Sequence, residues 1–296
     1  MKILVTGSTG HVGRDVVINL RKRGAEVRAL VRRTEAANFP AGVEVVSGDL
    51  TDPQSIREAV KGIDKLFLLN AVVADELTQG LTTYGIAKRA GIKHLTYLSV
   101  YKADRFRDVS HFASKVAIES ALREFSVPYT ILRPGYFFQN DLALKPLLEQ
   151  MGIYPMPIGI AGISAIDLRD IAEAAAITLT EPGHEGKTYD LVSSSQIKGP
   201  ANAALWSEAL GKKIVYTGHD FDAWEKQISA QLPGWMAYDM RTMLEGYFER
   251  GFASTPDDVN RVTKLIGHAP KTYEEFVRET VAAWLGNEQL VGGQKA

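Results

Sequence analysis

Short apolar runs alternate with amphipathic stretches through the first half of the chain. Runs rich in Val, Ile and Leu lie at Lys2–Thr6, Glu26–Val31, Val43–Ser47, Lys65–Leu69, His94–Ser99 and Tyr129–Arg133. They show little alternation of polar and apolar positions, the pattern of strands covered by helices on both faces. Between them, helical spacing predicts helices over Val12–Arg23, Pro53–Val60, Glu76–Ala90 and His111–Glu124. Thr51 or Asp52 before Pro53, and Ser110 before His111, are N-cap candidates. Gly24 and Gly91 stand where a left-handed residue ends a helix. Because crossovers between parallel strands are right-handed, this βαβ rhythm predicts an α/β fold with a doubly wound parallel sheet.

After about Pro134 the rhythm changes. Aromatics and prolines gather (Tyr136, Phe137, Phe138, Tyr154, Pro155, Pro157), helices dominate, and two strand-like pieces remain at Lys187–Val192 and Lys213–Thr217. The expectation is a parallel-sheet domain at 1–135, a smaller, mainly helical C-terminal cap at 136–290 that exchanges segments with it, and a loose tail at 291–296. Composition narrows the function classes. With 34 basic and 35 acidic side chains the net charge is −1, so no global pull towards nucleic acid or an anionic membrane arises. The absence of cysteine excludes disulfides, thiolate nucleophiles and thiolate metal sites. No apolar stretch reaches the roughly eighteen residues of a membrane helix, and the chain opens directly on a strand-like run; a cytoplasmic protein is expected.

The sharpest local signal is Thr6-Gly7-Ser8-Thr9-Gly10-His11-Val12-Gly13, which leaves a strand and opens a helix whose Val12, Val16, Val17 and Leu20 form one apolar stripe. That is the setting of the Rossmann dinucleotide fingerprint. Gly7 and Gly10 permit a tight turn close to a pyrophosphate, and Gly13 permits close packing of helix on sheet. Ser8, Thr9, His11 and Val12 complete the loop whose free N–H groups would hold the anion. Arg32 and Arg33 stand at the end of the second strand, where a carboxylate would select NAD; a guanidinium pair suits a 2′-phosphate, so NADP(H) is favoured. In Gly48-Asp49-Leu50-Thr51-Asp52, Asp49 is placed to accept from an adenine amino group, Leu50 to cover the ring and Asp52 to cap the following helix.

Together these elements resemble the NmrA-like branch of the atypical short-chain dehydrogenase/reductases. His111-Phe112-Ala113-Ser114-Lys115 is similar to that branch's H-F-x-x-K element. The stretch Val127-Pro128-Tyr129-Thr130-Ile131-Leu132-Arg133-Pro134-Gly135-Tyr136-Phe137-Phe138-Gln139-Asn140 is similar to its V-P-x-T-x-x-R-x-x-x-[FY]-F-x-N stretch, and Leu265–Pro270 to its end-of-domain turn. The resemblance implies NADPH-dependent reduction of quinones or of triphenylmethane or azo dyes, or NADP(H) binding by a regulator without turnover. It also implies that Lys115 holds the nicotinamide ribose and that Phe137, Phe138 and Asn140 line the nicotinamide side.

Ordinary short-chain dehydrogenases use Tyr-x-x-x-Lys, but here His111 stands in the tyrosine's place and Lys115 is kept. Positions i and i+4 share a helix face, and histidine titrates near neutrality, so His111 is a candidate proton donor beside Lys115. Ser99 ends the fifth strand, and Tyr101 is an alternative phenol. In open parallel sheets ligands bind outside the carboxyl ends of the strands. Gly7, Arg32, Asp49, Asn70, Ser99 and Pro134 each fall at such an end, on six different strands. The aromatics of the second part (Trp206, Trp224, Trp235, Trp284, Tyr238, Phe221, Phe248) read mostly as its core. His219, Asp220 and Asp222 read as a helix cap rather than a metal site.

Two functions follow as expectations. One is an NADPH-dependent reductase acting on a small conjugated acceptor, for which a weakened acid–base apparatus suffices. The other is an NADP(H) redox sensor that regulates a protein partner. A sugar-nucleotide epimerase is disfavoured because that chemistry leans on the missing tyrosine. Neither nucleic acid nor membrane is an expected partner, while a protein partner or a homodimer stays open.

Overall fold

The computed structural model describes residues 1–34, 38–124, 127–218 and 220–286. The expected tail at 291–296, and His219, lie outside them. Contacts divide the chain into two units, residues 1–134, 168–191 and 264–267 in the first and residues 135–167, 192–263 and 268–296 in the second. The first boundary falls one residue from the expected one, but 168–191 and 264–267 return to the first unit.

The first unit is built on seven parallel strands: β1 (Lys2–Val5), β2 (Glu26–Val31), β3 (Val43–Ser47), β4 (Lys65–Leu68), β5 (His94–Leu98), β6 (Tyr129–Pro134) and β10 (Lys187–Leu191). Their order is β3-β2-β1-β4-β5-β6-β10, with the strand order turning back at β1, where β2 and β4 flank it on either side. The strand-like piece expected at Lys187–Val192 is the seventh strand of this sheet, pairing Tyr189 with Leu132. Helices α2 (Pro53–Ala59), α3 (Glu76–Arg89) and α4 (Ser110–Glu124) cover one face, where Ile56, Ala87, Ile118 and Leu122 meet Leu4, Leu66, Leu95 and Ile131. Helices α1 (His11–Lys22) and α5 (Leu168–Thr180) pack against each other, and α5 lies on β4, β5 and β6.

The strand expectations need one correction. β3 is the edge of the sheet and its residues are half-buried or exposed, so it is not covered on both faces as its Val-rich sequence suggested. Of the caps, Asp52 accepts from the N–H groups of Gln54 and Ser55, and Gly24 and Gly91 take positive φ. Ser110 is not a cap: α4 begins at Ser110 itself.

The second unit holds a small sheet, β7 (Tyr136–Phe137), β9 (Ile163–Ile166) and β11 (Gln196–Ile197), and a strand pair, β8 (Ile153–Tyr154) with β12 (Val215–Tyr216). Helices α6 (Gly199–Leu210), α7 (Phe221–Ile228), α8 (Gly234–Arg250), α9 (Pro256–Ile266) and α10 (Tyr273–Trp284) supply most of the rest. Asp220 caps α7, accepting from Ala223 N–H at 2.9 Å. Trp206 is fully buried and stacks on Trp284 at 5.3 Å, as expected of core, whereas Trp235, Tyr238 and Phe248 are exposed.

At the centre of this unit Asp141 is wholly buried and accepts from the phenols of Tyr136 (3.0 Å), Tyr154 (2.8 Å) and Tyr273. Burial pushes its carboxyl up to about 6, against the pull of those three bonds. A carboxyl raised in the folded state takes up its proton more readily there, so its contribution to stability is full below its ordinary pKa and is lost as pH rises towards 6. All four tryptophans belong to this unit, so their fluorescence reports on it. Asp141→Asn, which cannot ionise, should gain roughly 3 kcal/mol relative to the parent between about pH 4 and 7, read as tryptophan-monitored denaturation midpoints. A difference that does not change with pH would contradict this account of Asp141.

Candidate functional site

The loop after β1 is shaped by close backbone approaches. Thr6 Oγ1 donates to Leu69 O (2.7 Å) and accepts from Leu69 N–H (2.9 Å), which ties the exits of β1 and β4 together. Gly7 has φ 61°, and a Cβ there would lie 2.9 Å from Leu69 Cγ. A Cβ on Gly13 would lie 2.2 Å from Gly7 O and 2.9 Å from Ser8 Cα, so only glycine lets the first turn of α1 sit on the loop. Gly10 N–H closes the turn on Gly7 O at 3.0 Å, and Gly10 heads α1 without any side-chain cap. The N–H groups at His11, Val12 and Gly13 thus stand at an uncapped helix start, of the kind that can receive an anion.

Thr9, Gly10 and His11 are exposed, while the Val12 side chain joins the buried stripe of α1. Ser8 is fully buried and its Oγ donates to Leu30 O at 2.6 Å. Its hydroxyl pins the loop to the end of β2, so only its backbone is left for a ligand.

Arg32 and Arg33 are exposed immediately after β2. Close by, Asp49 is held below the usual carboxylate range by the Thr51 N–H (2.8 Å) and hydroxyl (2.7 Å), both bonded to Oδ1, and by the positive charge of Arg32. The Thr51 bonds form an Asx turn, which the sequence reading did not assign to Asp49. Both bonds fall on Oδ1, so a ligand role for Asp49 rests on Oδ2. Leu50 is half-buried beside it.

At the exit of β4, Asn70 is buried; its Nδ2 donates to Glu76 O at 3.0 Å and its Oδ1 has no partner among the described residues. Lys115, 7% exposed, donates to Glu76 Oε1 at 2.7 Å, and its Nζ lies 5.9 Å from the centre of the Tyr97 ring. Sequence reasoning used Glu76 only as a helix boundary. The signal was present, since Glu76 opens a helix six residues after Asn70, at the same strand exit.

The Ser99 hydroxyl, at the exit of β5, donates to Glu119 Oε1 at 2.5 Å. Glu119 is fully buried and also accepts from Arg133 Nε (2.8 Å) and from Arg123 (2.7 Å). Burial pushes its carboxyl up, but the Arg133, Ser99 and Arg123 bonds outweigh burial and hold it below its ordinary range. Nothing in the sequence pattern marked Glu119, because its partners come from three separate elements.

His111 and Lys115 are both buried on α4, and the His111 ring meets Phe112 edge-on at 4.7 Å. Tyr101 is 3% exposed, with its N–H bonded to Pro134 O at 2.8 Å. Lys102 has φ 53°, the one positive φ outside glycine among the described residues, so the turn leaving β5 is strained. Of the residues expected on the nicotinamide side, Asn140 is exposed and Phe137 half-buried. Phe138 is a correction: it is fully buried within the second unit, against Tyr273 (5.3 Å) and Phe276 (5.8 Å), and serves as core there.

A parallel sheet that turns back at β1, a loop walled by glycine backbone and an uncapped helix start beside two arginines define a Rossmann-type dinucleotide-binding protein. The NmrA-like family matches residues 1–277, and the chain belongs to that family. It is 29% identical over 290 residues to an NAD(P)H azoreductase of Xenophilus azovorans, covering 95% of this chain and 99% of that one. Among solved structures it is similar to an NADPH-dependent quinone oxidoreductase of Escherichia coli complexed with NADPH (TM-score 0.85, 28% identity, 96% and 100% of the two chains). It is also similar to a Citrobacter sp. triphenylmethane reductase complexed with NADP(H) (TM-score 0.82, 30% identity, 94% and 99%).

Replacing Arg32 and Arg33 together by alanine should weaken NADPH binding roughly 10- to 100-fold, the worth of charge-assisted bonds to a phosphate, and leave NADH binding nearly unchanged. Equal losses for the two cofactors in a fluorescence titration would remove the 2′-phosphate assignment.

Proposed function

We propose that the chain is an NADPH-dependent reductase that transfers hydride to a small conjugated acceptor of the quinone, azo or triphenylmethane-dye kind. The observation that carries this reading is the pairing of a glycine-walled helix start with a buried lysine in the same unit. Gly13 leaves room for backbone alone at the loop, and the Lys115 ammonium bonds Glu76, whose carbonyl is held by Asn70; the Asn70 Oδ1 has no partner among the described residues. Those features fit a nicotinamide dinucleotide, which brings a diphosphate for the helix start and ribose hydroxyls for the buried polar groups. The relatives named above, an azoreductase, a quinone oxidoreductase and a triphenylmethane reductase, support the same reaction class.

The residues divide the work. The N–H groups at the start of α1 hold the diphosphate. Arg32 and Arg33 bind the 2′-phosphate, and Asp49, kept ionised, accepts from the adenine amino group while Leu50 covers the ring. Lys115 would hold the nicotinamide ribose hydroxyls. Bound NADPH would supply the hydride. His111, one helical turn before Lys115, donates the proton that completes reduction of a quinone or azo acceptor, whereas a cationic triphenylmethane dye is neutralised by the hydride alone. Conjugated acceptors spread the incoming charge over their own π-system, so orientation contributes more of the rate than acid strength does. Among the described residues no helix is long and apolar enough to cross a membrane.

The test is loss of NADPH absorbance with purified protein and a panel of quinones, azo dyes and triphenylmethane dyes. Saturable, protein-dependent oxidation is expected. Tight NADPH binding without oxidation of any acceptor would overturn the reductase in favour of a sensor. In the same assay, with a quinone as acceptor, His111→Gln should lower kcat about 100-fold, in line with loss of a general acid, and change its pH profile; an unchanged profile would remove His111 from that role.

A further inference from the structure

Glu76 is an unusual residue for its place. At the first turn of α3 its carboxylate is 1% exposed, Oε1 accepts from Lys115 Nζ at 2.7 Å, and Oε2 has no partner among the described residues. A buried ion pair seldom adds stability over a well-packed apolar pair, so its presence needs another reason. The local packing brings the two groups together. α3 lies close enough to α4 that a Cβ on Gly80 would sit 2.4 Å from Ile118 Cδ1, and Asn70 Nδ2 holds the Glu76 carbonyl at 3.0 Å.

We infer that Glu76 is a positioning residue for Lys115: its carboxylate fixes the ammonium in place, leaving two N–H donors for the cofactor ribose. This rests on the reading of Lys115 as the ribose contact. An ammonium has three donors, and Glu76 takes one.

The other groups around Lys115 do not replace Glu76. Tyr97 of β5 places its ring near Nζ, and burial together with the Glu76 and Glu119 charges pushes its phenol well above the ordinary range, so it stays neutral. Glu119, on α4 itself, is engaged by Arg133 of β6, by Arg123 and by Ser99. His111, one turn earlier on α4, supplies no negative charge. Glu76 is the carboxylate bonded to Lys115.

The experiment titrates NADPH by fluorescence in the parent, Glu76→Gln, Glu76→Asp and Lys115→Ala, and measures turnover with menadione as acceptor. Lys115→Ala should weaken NADPH binding about tenfold. Glu76→Gln, which removes the charge that holds the ammonium, should weaken it to a similar extent. Glu76→Asp keeps the charge but draws it back by one methylene; it should keep the parent's NADPH affinity while kcat falls about tenfold or more. If Lys115→Ala binds NADPH as the parent does, the ribose contact fails and the inference fails with it. If Lys115→Ala weakens binding but Glu76→Gln binds NADPH as the parent does, only the role of Glu76 is overturned. Should Glu76→Gln not fold, an undiminished kcat in Glu76→Asp overturns it instead.

Discussion

A side chain on Gly13 would put its Cβ 2.2 Å from the carbonyl oxygen of Gly7, nearer than any packing permits. The first unit depends on that contact. It seats α1 directly over the exit of β1, with Val12, Val16, Val17 and Leu20 buried beneath it, and so aims an uncapped helix start at the carboxyl ends of the strands. Two hydroxyls fix the loop from the sides, Ser8 to Leu30 O and Thr6 to Leu69 O. The bonds therefore run from the loop into β2 and β4, the strands that flank β1, and the loop's shape is set before any ligand arrives. An alanine at Gly13 would have to push helix and loop apart, moving the N–H groups that make the site.

Much of the first unit was legible because its information is local. Strand runs, helix stripes, Asp52 as a cap and the glycine spacing each depend on a few neighbouring residues. The misreadings have a common cause, partners distant in sequence. Val43, Val45 and Val46 look like core, and only the strand order shows β3 to be an edge. Phe138 reads as part of a motif, but Tyr273 and Phe276, more than a hundred residues later, make it core. Glu76 was hidden for the same reason, since its partner Lys115 lies 39 residues away. Strand Ile163–Ile166 escaped because it is four residues long and sits in a stretch without βαβ rhythm.

Three buried carboxylates show how the neighbours of a charge decide what it does. Glu119 has two guanidiniums and is held ionised. Asp141 has only phenol donors, which carry no charge, so burial prevails and its carboxyl rises to about 6. Glu76 has a single ammonium and an oxygen left over. The buried base His94 behaves oppositely to Asp141. Burial and the charge of Lys65 push its imidazole down to about 4, so its contribution is present above its ordinary pKa and lost as pH falls towards 4. Over the mildly acidic range His94 makes the first unit less stable as protons are added, whereas Asp141 makes the second unit more so.

These charges also bear on which acceptor the protein can serve. A carbonyl that becomes an alkoxide needs a strong, well-placed acid, the task of the phenol in Tyr-x-x-x-Lys enzymes. Here the phenols of the first unit are poorly suited to it: Tyr97 is buried and kept neutral far above the usual range, and Tyr101 is 3% exposed behind a strained turn. What the unit does supply is position, through the Gly7–Gly13 contact and the Glu76–Lys115 pair. An acceptor that delocalises charge gains most from accurate placement of two planar partners and least from a strong acid. In the proposed reductase a conjugated acceptor would ask less of His111 than an unactivated ketone would, because its own π-system takes up the incoming charge before the proton arrives.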